Sequence, residues 1–290
     1  MESQIIANYR CSIGEGPLWH PLEEQLYWTD IDAGRMFRYD PKTGHHEQFY
    51  KGPSVGGFTI QSDGSLVLFM AKGTIKILKD NKLTTIVKEI PEVKEGRFND
   101  VIVDPCGRIF CGTLDYSYSS GLGYLYRLDT DGSFTRILDG LGISNGLGFS
   151  LDRKTMYHTD STAMRIYSFE YDERTGSITN QKVFIDRSEK SGTPDGMTVD
   201  SMGHIWSATL GIGIIRYDSD GKEEKVISLS TQAVLSVTFG GSDYSDMYVT
   251  SGQLDGIDLP GVLIGEDAGS LYKLDPEVKG IPEFLSRINI

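Results

Sequence analysis

Two stretches, Leu26–Asp30 "LYWTD" and Met156–Asp160 "MYHTD", are variants of one pattern. Apolar and aromatic residues alternate and end on a hydroxyl and an acid. The pattern recurs as "LVLFM" from Leu66, "IFCGT" from Ile109, "IWSAT" from Ile205 and "MYVTS" from Met247, so the copies start 40 to 49 residues apart. A second alternating segment follows each: "RMFRYD", "TIKIL", "YLYRLD", "RIYSFE", "IIRYD" and "SLYKLD". Turn punctuation such as "SDGS", "DPCGR" and "SMGH" separates strand segments. Fourth strands are expected at "HHEQFY", "KLTTIV", "SFTRIL", "KVFID", "KVISL" and "IPEFL". Four strands per repeat of about 40–50 residues is the signature of a propeller blade. Six copies predict an all-β, six-bladed β-propeller spanning 1–290 as a single domain. The stretch "QIIANY" near the start is expected to pair with the last blade and latch the ring.

Composition narrows the function. The chain is 39% hydrophobic with a formal net charge of −13, which disfavours nucleic acid or an anionic membrane as a partner. No apolar run reaches the roughly 20 residues that span a bilayer. Nothing in "MESQIIANYR" reads as a signal peptide. Cys11, Cys106 and Cys111 are too few, and odd in number, for a disulfide framework. The expectation is a cytoplasmic protein, monomeric or a weak homo-oligomer.

The segment before each alternating pattern should enter the blade's innermost strand and open at one mouth of the central channel. These entries read "GEGPLW", "GGFTI", "RFNDVIV", "SNGLGF", "PDGMTV" and "AVLSVTF". Four carry a carboxylate or amide in nearly one register: Glu15, Asn99, Asn145 and Asp195. Each alone is an ordinary turn former, except Glu15. Together they form an oxygen-rich set suited to calcium, magnesium or manganese, with zinc also accommodated. Alternation places Arg97 on the side of Asn99, as a donor for oxygen-rich substrates. Asp100 and Asp104 are expected to brace the hairpin. None of the five histidines occupies the register, so a histidine-based metal centre or a Ser-His-Asp arrangement is disfavoured.

The stretches "GEGPLW", "RFNDVIVDPCGRIFCGT", "SNGLGFSLDRKTMY", "TPDGMTVDSMGHIW" and "FGGSDYSDMYVTS" resemble the SMP-30/regucalcin/gluconolactonase family, which includes luciferin-regenerating-type proteins. The resemblance implies a six-bladed propeller with one divalent metal, calcium or zinc foremost, at the channel mouth. It implies hydrolysis of a small sugar lactone. The family's metal ligands fall on Glu15, Asn145 and Asp195, and its substrate-contacting Arg and Asn on Arg97 and Asn99. Asp195 is the expected general base. Variants of Arg97 and Asn99 are then expected to lose turnover while sparing metal affinity.

One departure concerns the loop "LDYSYSSGLG" (114–123), where some members carry a substrate-touching acid. Asp115 sits too early to inherit that contact. A non-catalytic calcium-binding propeller is one alternative. An esterase, thiolactonase or organophosphate hydrolase is another, kept open by the apolar loop at 251–269.

Overall fold

The computed structural model describes residues 3–257, 259 and 261–289. Asp258 and Pro260, within the 251–269 loop, lie outside the described residues, as do Met1, Glu2 and Ile290. The described residues form six four-stranded antiparallel sheets, the blades of a β-propeller. The only helical element among them is a 3-10 turn, Pro91–Val93. Among the described residues no helix is long and apolar enough to cross a membrane.

Blade one consists of Gly14–His20, Gln25–Asp30, Arg35–Asp40 and His45–Lys51. The inner strands of blades two to six are Val55–Ile60, Gly96–Val103, Ser144–Phe149, Thr193–Val199 and Val234–Gly240. Five of the fourth strands lie where the sequence predicts them. The sixth does not: "IPEFL" (281–285) forms no strand. The N-terminal strand Ser3–Asn8 pairs with Ser270–Leu274 and completes blade six. The expected latch is therefore itself the fourth strand. Beyond "IPEFL", among the described residues, Ser286 forms a parallel bridge to Gln61.

The chain divides into two compact units, each with its own packed interior. Residues 1–54 and 189–282 hold blades one, five and six; residues 55–188 and 283–290 hold blades two, three and four. In the first unit, the inner strand of blade six packs against those of blades one and five. In the second, the inner strand of blade three packs against those of blades two and four. Apolar clusters fill the space between blades, for example Trp206, Val237, Phe239 and Tyr272 in the first unit and Phe69, Phe98, Cys111 and Ile288 in the second. Burial of this kind contributes about 25 cal/mol per Å² of apolar surface. All three cysteines are free thiols; burial pushes that of Cys11 up to about 12.

The acid that ends the repeated pattern has a local task. Asp30 Oδ1 accepts from the Ile13 backbone N–H at 3.2 Å, and Asp160 Oδ2 from that of Gly142 at 3.1 Å. Each thereby fixes the backbone entering an inner strand, two residues before Glu15 and three before Asn145. Glu15, Asn99, Asn145 and Asp195 all lie within the inner strands themselves.

Every inner strand slips register against its neighbour just past this entry: between Glu15 and Leu18, Val55 and Gly57, Phe98 and Val101, Asn145 and Leu147, Pro194 and Met197, and Val234 and Ser236. A slip of this kind is a β-bulge, which bends the strand and re-aims its side chains. In blade two the bulge holds Gly56 and Gly57. A Cβ on Gly56 would lie 1.9 Å from the Phe98 carbonyl oxygen, so only glycine lets the third blade's backbone approach.

Candidate metal and substrate site

Four buried threonines at matching positions of the second strands serve as register marks. Glu15 pairs with Thr29 and Asn145 with Thr159; Phe98 pairs with Thr113 and Pro194 with Thr209, so Asn99 and Asp195 stand one residue further on. The bulges absorb that offset. The shared register read from the sequence thus holds to within one residue.

In the second unit the structure brings three of the expected residues together. Arg97, Asn99 and Asn145 are each 4% exposed. Arg97 Nη1 donates to Asn99 Oδ1 and, at 3.1 Å, to the Phe98 carbonyl. Asn99 Nδ2 donates to Asn145 Oδ1 and, at 2.9 Å, to the Ser144 carbonyl. Asn145 Nδ2 donates to Ser161 Oγ at 2.7 Å. Arg97 Nε is buried with no hydrogen-bond partner among the described residues. A buried donor of this kind is costly unless something accepts from it, so it fits an oxygen-bearing ligand.

In the first unit Glu15 and Asp195 hold the corresponding register on the inner strands of blades one and five. Both carboxylates are buried, at 3% and 8% exposure. Glu15 Oε2 accepts from the Gly16 backbone N–H at 3.1 Å. Among the described residues no three His, Cys, Asp or Glu side chains cluster as a metal centre. Glu15 and Asp195 each offer carboxylate oxygens, and Asn145 in the second unit offers an amide oxygen. Each of these donors is an oxygen, the type that suits a hard divalent ion.

One further reading holds and one changes. Asp104 does brace its hairpin, accepting from the backbone N–H groups of Cys106 and Arg108, from Arg108 Nε and from Tyr171 Oη. Asp100 does not share that task. It is half-buried inside the bulge with Asn99, and burial pushes its carboxyl up to about 7 against the pull of the Arg97 guanidinium. Asp115, at the start of the 114–123 loop, is half-buried and held by its own turn. Its Oδ1 accepts from Ser117 N–H at 2.8 Å and Oγ at 2.6 Å, which holds its carboxyl below the usual range.

The sequence reading missed the supports behind this cluster. Ser144 Oγ lies 2.8 Å from Nε2 of the fully buried His158. Burial pushes that imidazole down to about 4, so it is neutral at pH 7. Their signal was present in principle, since Ser144 immediately precedes Asn145 and Ser161 immediately follows the strand Thr155–Asp160 that pairs with it. Serine at a strand end is too common to stand out.

The SMP-30/Gluconolactonase/LRE-like region matches residues 13–253. The chain belongs to this family. Among its relatives, a pentonolactonase of Haloferax volcanii is 44% identical over 289 residues, covering 98% of each chain. The regucalcin of Danio rerio is 34% identical over 288 residues, covering 97% of each. Of solved structures, regucalcin from Agrobacterium tumefaciens, titled a calcium-binding protein, superposes with a TM-score of 0.92 at 26% identity, covering 99% of this chain and 98% of that one. A luciferin-regenerating enzyme superposes at 0.90 with 27% identity, covering 99% of each chain. Membership in the SMP-30/gluconolactonase/LRE-like family thus extends along nearly the whole chain.

Proposed function

We propose that this SMP-30/gluconolactonase/LRE-like protein is a sugar lactonase, opening aldonolactones such as gluconolactone to their acids with the help of one divalent ion. The observation that carries the reading is the buried Arg97–Asn99–Asn145 cluster, a set of oriented donors and acceptors at the register where the inner strands of blades one and five hold two buried acids. Similarity to a pentonolactonase supports the substrate class. Similarity to a regucalcin described as a calcium-binding protein supports a bound divalent ion, which we assign to Glu15, Asn145 and Asp195.

When bound there, a divalent ion would polarise the ring carbonyl of the lactone. Arg97, through Nε, and Asn99 orient the ring oxygens. Asp195 accepts a proton from the attacking water as oxygen adds to the carbonyl carbon. The ring C–O bond then breaks, and that proton passes to the departing alkoxide.

The test is turnover of gluconolactone and a pentonolactone, followed by acid release, before and after chelation and dialysis. Activity should vanish and return with added metal. Full activity in verified metal-free protein would overturn the metal requirement, while metal binding without turnover would favour a calcium-binding propeller. Exposed Ile257, Leu263 and Ile264 on the 251–269 loop favour one further comparison, with aryl esters.

A further inference from the structure

The hydrogen bonds of the Arg97 cluster run in one direction. Arg97 carries only donors, so the group facing its Nη1 must be an acceptor. That fixes Asn99 with Oδ1 toward Arg97 and Nδ2 away. The two donors of Nδ2 then meet the Ser144 carbonyl and Asn145, so Asn145 must present Oδ1. Its Nδ2 is left to Ser161 Oγ. A carbonyl oxygen has two acceptor sites, so Asn145 Oδ1, having accepted from Asn99, keeps one for a ligand.

We propose that Arg97, Asn99, Asn145 and Ser161 form a one-way relay, and that Ser161 is a positioning residue that accepts from Asn145 Nδ2 and so holds Oδ1 in the orientation Asn99 selects. The relay deepens the proposed function and rests on it where Asn145 is taken as a metal ligand. An asparagine rotated by half a turn would offer an NH₂ group, which cannot bind a cation. The guanidinium at one end and the hydroxyl at the other hold the productive orientation. Because Arg97 starts the relay, the substrate-contacting end and the metal-holding end are coupled.

Two measurements test this. The first is calorimetric titration of metal-free protein with calcium and, separately, with zinc. Ser161→Ala should weaken binding by about 10–100-fold, the usual effect of removing a group that orients a ligand. Ser161→Thr, which keeps the hydroxyl, should restore most of it. In an Asn145→Asp background both side-chain oxygens are acceptors, so Ser161→Ala should cost nothing further. An equal loss in both backgrounds would mean a merely structural role and overturn the relay.

The second measurement needs no metal. In protein labelled with ¹⁵N-asparagine, the Asn145 side-chain amide protons should exchange slowly, and Ser161→Ala should abolish that protection while leaving Asn99 protected. Unchanged Asn145 protection overturns the relay. Failure of the wild type to bind either ion, with protection behaving as expected, instead overturns the metal assignment of Asn145.

Discussion

At the scale of single residues, position in the fold assigns different costs to chemically similar groups. Asp195 and Asp115 are both aspartates, yet one is buried at the inner-strand register and the other is bound into an exposed turn. Asp195→Asn should therefore lower turnover by on the order of 10²-fold or more, the scale of a lost general base, while weakening metal binding only in part. Initial rates at saturating metal, beside calorimetry, check this; near-wild-type turnover would remove Asp195 as the base. Arg97→Ala should weaken metal binding as well as turnover, because it starts the relay; read from sequence alone, metal affinity is expected to be spared. Arg97→Lys, still a pure donor, should retain more affinity than Arg97→Ala in the same titration. His158 sets a pH dependence of stability. Its folded pKa of about 4 lies below the ordinary value of 6.5, so the native state binds fewer protons than the unfolded state between them. Its contribution to stability is complete above about 6.5 and is lost as pH falls through about 4. Urea midpoints from pH 7 to pH 4 should fall less steeply for His158→Gln than for the wild type.

At the scale of elements, the decisive device is the bulge shared by all six inner strands. The sequence shows a polar residue recurring near one position, but a count along the chain cannot say whether Asn99 and Asp195 share the register of Glu15 and Asn145. The bulges settle that, and they leave little trace in sequence beyond scattered glycines. The same limit explains Asp100: alternation gives it the opposite side from Asn99, whereas the bulge puts both in one unpaired step. Gly112 tests the tolerance of this arrangement. It lies on the second strand of blade three, and a Cβ there would stand 2.1 Å from Ser144 Oγ. Ser144 cannot yield freely, because Oγ meets His158 and its carbonyl holds Asn99. Gly112→Ala should cost about 1–3 kcal/mol, the usual range for inserting a methyl into a packed interior, seen as a lower urea midpoint at unchanged slope. It should also reduce metal affinity, while Gly132→Ala, at an open turn with nothing within 4 Å, should leave metal affinity untouched.

At the scale of the molecule, the six-fold repeat was legible because each blade repeats the same burial problem: a strand pair with alternating apolar residues and a turn between. The closing blade was half legible. "QIIANY" reads as a strand and serves as one, but "IPEFL" has the same apolar alternation and does not. Sequence pattern cannot rank two candidate partners for one exposed edge, whereas the structure gives that edge to the N-terminus. Ser3, Gln4, Ile5, Ala7 and Asn8 are in register with Ser270–Leu274, and Ala7 is buried with Trp28, Phe37 and Leu271. Removing residues 1–8 should therefore expose the Ser270–Leu274 edge and uncover that cluster. A bare strand edge beside apolar surface is a template for pairing with another chain. The truncated protein should melt at least about 5 °C lower, which for a chain of this size corresponds to roughly 2 kcal/mol, and should show concentration-dependent association by light scattering. Supplying the eight-residue segment as a synthetic peptide in excess should raise the melting temperature again, since a ligand that binds only the folded state stabilises it by mass action. An unchanged melting temperature with no association would mean that blade six holds on three strands alone, and that the closing strand adds nothing to the fold.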